Sequence, residues 1–149
     1  MLHKIWHPLH LRQPSTLKMI FHTRFAKYAM PLFLIMAAVC SGQQTAMSFN
    51  IRYDNFKDKE NAWWYRKDDV VDLLAYYRPT LFGLQEAMPN QTAYIASKLK
   101  NYEYVGHGRD GKNTNSEGTP IFYDTDCLEI LDQHQFWLSE TPNKVSKGW

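Results

Sequence analysis

Cysteine is scarce in this sequence of 149 residues, with only Cys40 and Cys127 present. That excludes the disulfide framework that holds many small secreted domains together. Acidic residues are absent from the first 46 positions, which carry Lys4, Arg12, Lys18, Arg24 and Lys27 with nothing to balance them. No apolar run approaches the roughly 20 residues that a membrane-spanning helix needs. Internal repeats and low-complexity tracts are lacking too. From Met47 onward twelve Lys and Arg face fifteen Asp and Glu, a net of −3, so the +2 of the whole chain belongs to its leader. The basic residues of this body are not clustered, whereas a surface that grips nucleic acid through its phosphates concentrates positive charge. Nucleic acid remains open as a substrate but is not favoured by charge.

The leader has the pattern of an export signal. Arg24 and Lys27 precede the apolar run Ala29 to Val39, and small polar residues, Ser41-Gly42-Gln43-Gln44, follow it. A run of about ten apolar residues matches a signal-peptide core. Met19 is a plausible true start, which leaves residues 1–18 as an upstream extension. The run Ala37-Ala38-Val39-Cys40-Ser41-Gly42 also resembles a lipoprotein processing site, with Cys40 as the lipid-bearing residue, although Val39 is larger than usual before such a cysteine. Plain cleavage nearby is the competing reading. Either way, residues 1–44 read as extension and signal, and the product is exported: periplasmic, secreted or lipid-anchored at the cell envelope. Any membrane contact comes through that signal or anchor. Cys127 is then the body's single thiol, expected as a small buried residue in a strand.

The body begins with a period-two stretch over Thr45 to Tyr53, in which Met47, Phe49, Ile51 and Tyr53 alternate with Ser48, Asn50 and Arg52. That predicts a strand. A charged loop, Asp54 to Trp64, leads to a helix over Arg66 to Tyr77, which Pro79 ends. Leu81 to Leu84 predicts a buried strand, and Pro89 opens a second helix. Further strands are expected at Tyr102 to Gly106, Thr119 to Tyr123 and Leu128 to Leu138, with a loop over Gly108 to Gly118. The order β-α-β-α-β-β-β implies a mixed α/β domain, its first two strands parallel and the later ones antiparallel hairpins.

Two polar residues stand out against this apolar pattern. Asn50 lies between Phe49 and Ile51, and Glu86 follows the apolar Leu81-Phe82-Gly83-Leu84. If their strands are neighbours, both sit at carboxyl ends, where open α/β sheets bind ligands. An amide oxygen and a carboxylate suit a hard divalent cation such as Mg²⁺, which keeps several waters and takes substrate phosphate in its remaining positions. The bland alternative makes Asn50 a turn former and Glu86 a helix-capping residue.

Ser48-Phe49-Asn50-Ile51-Arg52-Tyr53-Asp54, followed by Leu84-Gln85-Glu86, resembles the endonuclease/exonuclease/phosphatase superfamily, which is DNase I-like. Val105-Gly106-His107-Gly108-Arg109-Asp110-Gly111-Lys112, Pro120-Ile121-Phe122-Tyr123 and Phe136-Trp137-Leu138-Ser139-Glu140-Thr141-Pro142 are similar to its secreted bacterial branch. The resemblance implies a four-layer α/β sandwich of two β-sheets flanked by helices, here reduced to roughly the first sheet and its helices. Residues 45–149 would then be the N-terminal part of such a domain, incomplete at its C-terminus. It also implies Mg²⁺- or Mn²⁺-dependent hydrolysis of a phosphodiester or phosphomonoester, with Asn50 and Glu86 as metal ligands. Arg109 and Glu117 are candidates for the substrate mouth, since a guanidinium suits phosphate; solvated loop charges are the competing reading.

The resemblance assigns no catalytic residue within the chain. The family's later acidic and histidine motifs have no counterpart before Trp149, and neither His107 nor His134, expected mid-strand and exposed, lies in a matching context. The chain alone is therefore expected to be inactive, and poorly soluble or partly molten because an apolar sheet face would lack its cover. A reading from another class is an exported, non-catalytic binding module using Trp63, Trp64, Trp137, Tyr102 and Tyr104. A decayed gene fragment is the third. For Trp63 and Trp64 packing is the default expectation, with substrate stacking as the alternative.

Overall fold

The structure, a computed structural model, describes residues 5–6, 9–12 and 43–148, the first six as backbone only. The apolar run Ala29 to Val39, expected as a signal, lies outside the described residues, as do Met19 and Cys40. The described chain is a mixed α/β fold, as the element order in the sequence predicts. Strands β1 (Ile5–Trp6) and β2 (Leu9–Arg12) come first, followed by β3 (Ala46–Asn50) and a short 3₁₀ helix (Phe56–Asn61). Helix α1 (Trp63–Tyr77), β4 (Leu81–Gln85) and α2 (Pro89–Lys98) follow. The remaining strands are β5 (Tyr102–Val105), β6 (Ile121–Asp124), β7 (Glu129–Gln133) and β8 (Phe136–Trp137).

Four strands form the main sheet in the order β3-β4-β6-β5. β3 and β4 are parallel, with Asn50 opposite Gln85, and α1 supplies the crossover that parallel neighbours require. β6 is antiparallel to both β4 and β5. Alternation along the strands sends Phe82 and Leu84 to the helical side, where both are fully buried. There they meet Phe122, Ile51, Val70, Leu74 and Ile95 in one core. Phe82 stacks on Phe122 with ring centroids 4.8 Å apart. Trp63 is buried in this core and Trp64 is exposed, so packing accounts for the first of the pair.

The helices start and stop for local reasons. α1 begins three residues earlier than its apolar spacing suggests, because Trp63 adds a buried position two turns before Val70 and three before Leu74. Its last turn closes at Arg78, which turns to a φ of 43° and donates its backbone N–H to Leu74. Pro79 then prevents continuation. α2 carries Pro89 in its first turn, where the missing N–H costs nothing.

Several expectations need correction. The first strand ends at Asn50, because Arg52 adopts a φ of 59° and turns the chain out of the sheet. The span Leu128 to Leu138 is two short strands broken at His134 and Gln135. The Gln135 side chain is turned toward His107, whose backbone N–H it accepts at 3.1 Å. These two strands pair antiparallel with β2 and β1, in two-stranded sheets separate from the main one. His134 therefore lies in the break and not mid-strand; its Nε2 is 3.3 Å from Asn143 Oδ1. Cys127 stands half-buried in a turn after β6, not buried in a strand.

On the face opposite α1 and α2, β3 presents Ala46, Ser48 and Asn50, and β4 presents Leu81, Gly83 and Gln85. Gln85 Nε2 donates to Ser48 Oγ at 3.2 Å. Tyr123 donates its hydroxyl to Glu103 at 2.6 Å, and burial together with that bond pushes its phenol up to about 12. Because the folded state resists ionisation, stability is full below the ordinary value of 10.0 and falls as pH rises toward about 12. Thermal melts at stepped pH should show that loss, and Glu103→Gln should narrow its window. Phe82→Ala should cost about 3–5 kcal/mol in urea unfolding. Phe56→Ala, at a position 84% exposed, should stay within about 0.5 kcal/mol.

Candidate functional site

The parallel register puts the end of β3 beside the end of β4. Asn50 is the last residue of one strand, and Glu86 directly follows the other. Their side chains meet: Asn50 Nδ2 donates to Glu86 Oε1 at 3.0 Å. The backbone after β3 folds back over the pair. Arg52 N–H donates to Asn50 Oδ1 at 2.9 Å, and Tyr53 N–H donates to Glu86 Oε2 at 3.3 Å. Glu86 is thus not the capping group of α2, whose first residues are closed by Met88 and Gln91.

Two residues here hold left-handed backbone, Arg52 at φ 59° and Glu86 at φ 57°. Neither is glycine, so each costs of order 1–3 kcal/mol that the surrounding bonds must offset. Such strain concentrates where side chains have to be aimed. The Arg52 guanidinium lies over the Tyr53 ring, 4.5 Å from its centroid. It is bidentate on Asp58, at 2.9 and 3.2 Å, and only 3.9 Å from Glu86. Its hydrogen bond to Asp58 raises the guanidinium pKa and lowers that of the carboxyl. Because Asp58 takes the guanidinium's short contacts, Glu86 is left without a tight ion pair.

The donor set fits a hard cation. Glu86 accepts two hydrogen bonds, about half of a carboxylate's capacity, and Asn50 Oδ1 accepts one of its two. Oxygen positions therefore remain on both residues, the half-buried Glu86 and the exposed Asn50. One carboxylate and one amide are few ligands, which suits Mg²⁺ or Mn²⁺ with a shell completed by water. Among the described residues no group of three or more His, Cys, Asp or Glu forms a metal cluster.

Arg109 and Glu117 are brought together with each other. Their side chains form an ion pair at 3.2 Å, and Arg109 N–H donates to the Glu117 carbonyl at 2.9 Å. Gly118 bridges antiparallel to Ala87, so the pair's loop is tied to the residue just after Glu86. The pairing satisfies part of the Arg109 guanidinium internally. His107 faces elsewhere, its Nδ1 3.0 Å from the Gly108 carbonyl and 3.3 Å from Gln135 Nε2. Two adjoining cavities of about 280 and 460 Å³ lie beneath this loop and share Tyr104, Gly106, His107 and Lys112. Neither includes Asn50 or Glu86.

Sequence reading missed the residues that support the pair. Gln91 donates to the Arg52 carbonyl at 2.9 Å, and Arg66 donates to the same atom at 3.0 Å. Asn90 reaches Asp54 at 2.8 Å. A glutamine at the third position of a proline-initiated helix was the one available signal, and it reads first as a helix cap.

Comparison with known proteins gives a consistent answer from solved structures. An endonuclease/exonuclease/phosphatase from Bacteroides vulgatus is 42% identical with a TM-score of 0.66, covering 68% of this chain and 40% of that one. A mannosyl-6-phosphatase from Bacteroides thetaiotaomicron is 36% identical with a TM-score of 0.68, covering 72% and 41%. A functionally unknown conserved protein from Enterococcus faecalis is 28% identical with a TM-score of 0.66, covering 70% and 41%. The chain thus spans about 40% of the length of the solved relatives it matches. No protein-family model matches it, and no curated protein does.

The loop beside the site depends on Gly108. A Cβ there would stand 2.3 Å from Ser116 Oγ and 2.6 Å from the Ser116 carbonyl. Gly108→Ala should therefore open the 108–118 loop and lower the thermal midpoint. Faster hydrogen exchange at the Arg109 amide would report it, and unchanged exchange would contradict the close packing.

Proposed function

We propose that this chain, which belongs to the endonuclease/exonuclease/phosphatase family, supplies the Asn50–Glu86 half of a Mg²⁺- or Mn²⁺-dependent phosphoester hydrolase centre. The observation that carries the reading is the convergence of Asn50 and Glu86 at 3.0 Å at the ends of neighbouring parallel strands. Solved relatives named for phosphatase chemistry, 42% and 36% identical to the chain over the parts that align, support the reaction class. A bound divalent ion would polarise a phosphoryl group and stabilise charge on the departing oxygen. The chain's own residues do the rest of the work seen here. Glu86 offers the negative charge, Asn50 the neutral oxygen, and Arg52 orders the loop above them through Asp58. Arg109, ion-paired with Glu117, carries a guanidinium suited to a phosphate oxygen, which would compete with that carboxylate for it.

The substrate is a phosphoester, and its class rests on groups other than these. The exported, envelope-associated location follows from the leader's composition and belongs to this proposal. By itself the chain holds the ion without turnover. General acid–base groups contribute factors of about 10² to 10⁴ each, and neither His107 nor His134 joins the pair. The binding-module reading draws less support, because Trp63 and Trp137 are buried and do not form a surface with Trp64.

Mn²⁺ or Mg²⁺ should raise the thermal midpoint of the chain, and Glu86→Gln should abolish the rise. Phosphodiester and phosphomonoester hydrolysis by the chain should match that of the Glu86→Gln protein. An absent midpoint shift removes the metal assignment, and turnover well above the variant's removes the claim of inactivity.

A further inference from the structure

We propose that Gln91 is a positioning residue, a clamp that fixes the loop after β3 in the shape that makes Asn50 and Glu86 converge; its functional meaning rests on the metal reading above. Gln91 lies in the first turn of α2 and is 0% exposed. A buried amide must have both ends satisfied, and this one has. Its Oε1 accepts the Met88 N–H at 3.0 Å, which closes the start of the helix. Its Nε2 donates to the Arg52 carbonyl at 2.9 Å, across 39 residues of sequence. Helix capping uses only the first bond. The second connects the helix to the site.

The Arg52 carbonyl is the point from which the loop can be held. Arg66 Nη2 reaches it at 3.0 Å from α1, so two helices grip one oxygen. Arg66 is anchored in turn by its bond to the Asn61 carbonyl at 2.8 Å and by its position over the Trp63 ring. With its carbonyl held, Arg52 is kept at φ 59°, which aims its own N–H at Asn50 Oδ1 and the Tyr53 N–H at Glu86 Oε2. The two site side chains are therefore oriented from above by a loop whose shape is set from below. Without the clamp an arginine has no reason to remain in left-handed backbone, and extended geometry would carry both N–H groups away. Partners at this remove from a metal ligand commonly change metal affinity by about 10–100-fold.

Two substitutions in the 149-residue chain separate the two ends of the amide. Gln91→Glu keeps an oxygen for Met88 N–H but removes the donor to Arg52; Gln91→Met removes both and buries no charge. Amide hydrogen exchange measured by NMR should be at least tenfold faster at Arg52 and Tyr53 in both variants. At Met88 it should accelerate only in Gln91→Met. Mn²⁺ binding followed by electron paramagnetic resonance should weaken at least tenfold in both. If Gln91→Glu does not fold, Gln91→Met decides alone. Retained protection at Arg52 and Tyr53 in Gln91→Met would overturn the clamp and leave Gln91 as a helix cap. A parent chain that binds no Mn²⁺ at all would remove the metal reading, while the exchange rates would still decide the clamp.

Discussion

The parallel pairing of β3 with β4 is the constraint on which the rest of the described structure depends. It fixes Asn50 opposite Gln85 and so sets an amide against the next residue's carboxylate. The same register sends Phe82 and Leu84 down into the helical core while Ser48 and Gln85 remain on the other face. A slip of one residue would exchange the faces, burying polar groups and exposing the core. The register that stabilises the sheet is thus the register that builds the site. Hydrophobic burial and the meeting of Asn50 with Glu86 cannot be separated at this point of the fold.

The site also shows where backbone strain is placed. Arg52 and Glu86 both occupy left-handed conformations that favour glycine, at the ends of adjacent strands. The bonds that hold Arg52 come from three directions: Asp58 on the 3₁₀ helix, Arg66 on α1 and Gln91 on α2. The helices do more than cover a sheet. Their first turns reach over the strand ends and aim a loop, which is how a scaffold holds a polar pair in a set geometry. Arg109 and Glu117 belong to a second loop, tied to the first through the Ala87–Gly118 bridge, and they neutralise each other instead of presenting free charge.

Much of this was legible in the residues. Period-two alternation located β3, apolar runs located β4 and β6, and Pro79 and Pro89 located the end of one helix and the start of another. Asn50 and Glu86 stood out because each interrupts or ends an apolar strand. What was misread has physical reasons. Strand propensity ran on through Arg52 and Tyr53, because alternation carries no mark of a φ forced positive by distant partners. Leu128 to Leu138 read as one strand, because nothing local says that Gln135 turns inward to hold His107.

The sequence by itself determined the alternating and helical periods, the division between a basic first 46 residues and an acidic remainder, and the chemical types of Asn50 and Glu86. These follow from side chains acting over a few neighbours. Only the tertiary structure decided that Asn50 and Glu86 touch, that Arg109 spends its charge on Glu117, and that Gln91 and Arg66 share one carbonyl. Each of those facts is a hydrogen bond or ion pair whose partners come together only when strands and helices pack. No local pattern encodes where a buried amide finds its second partner.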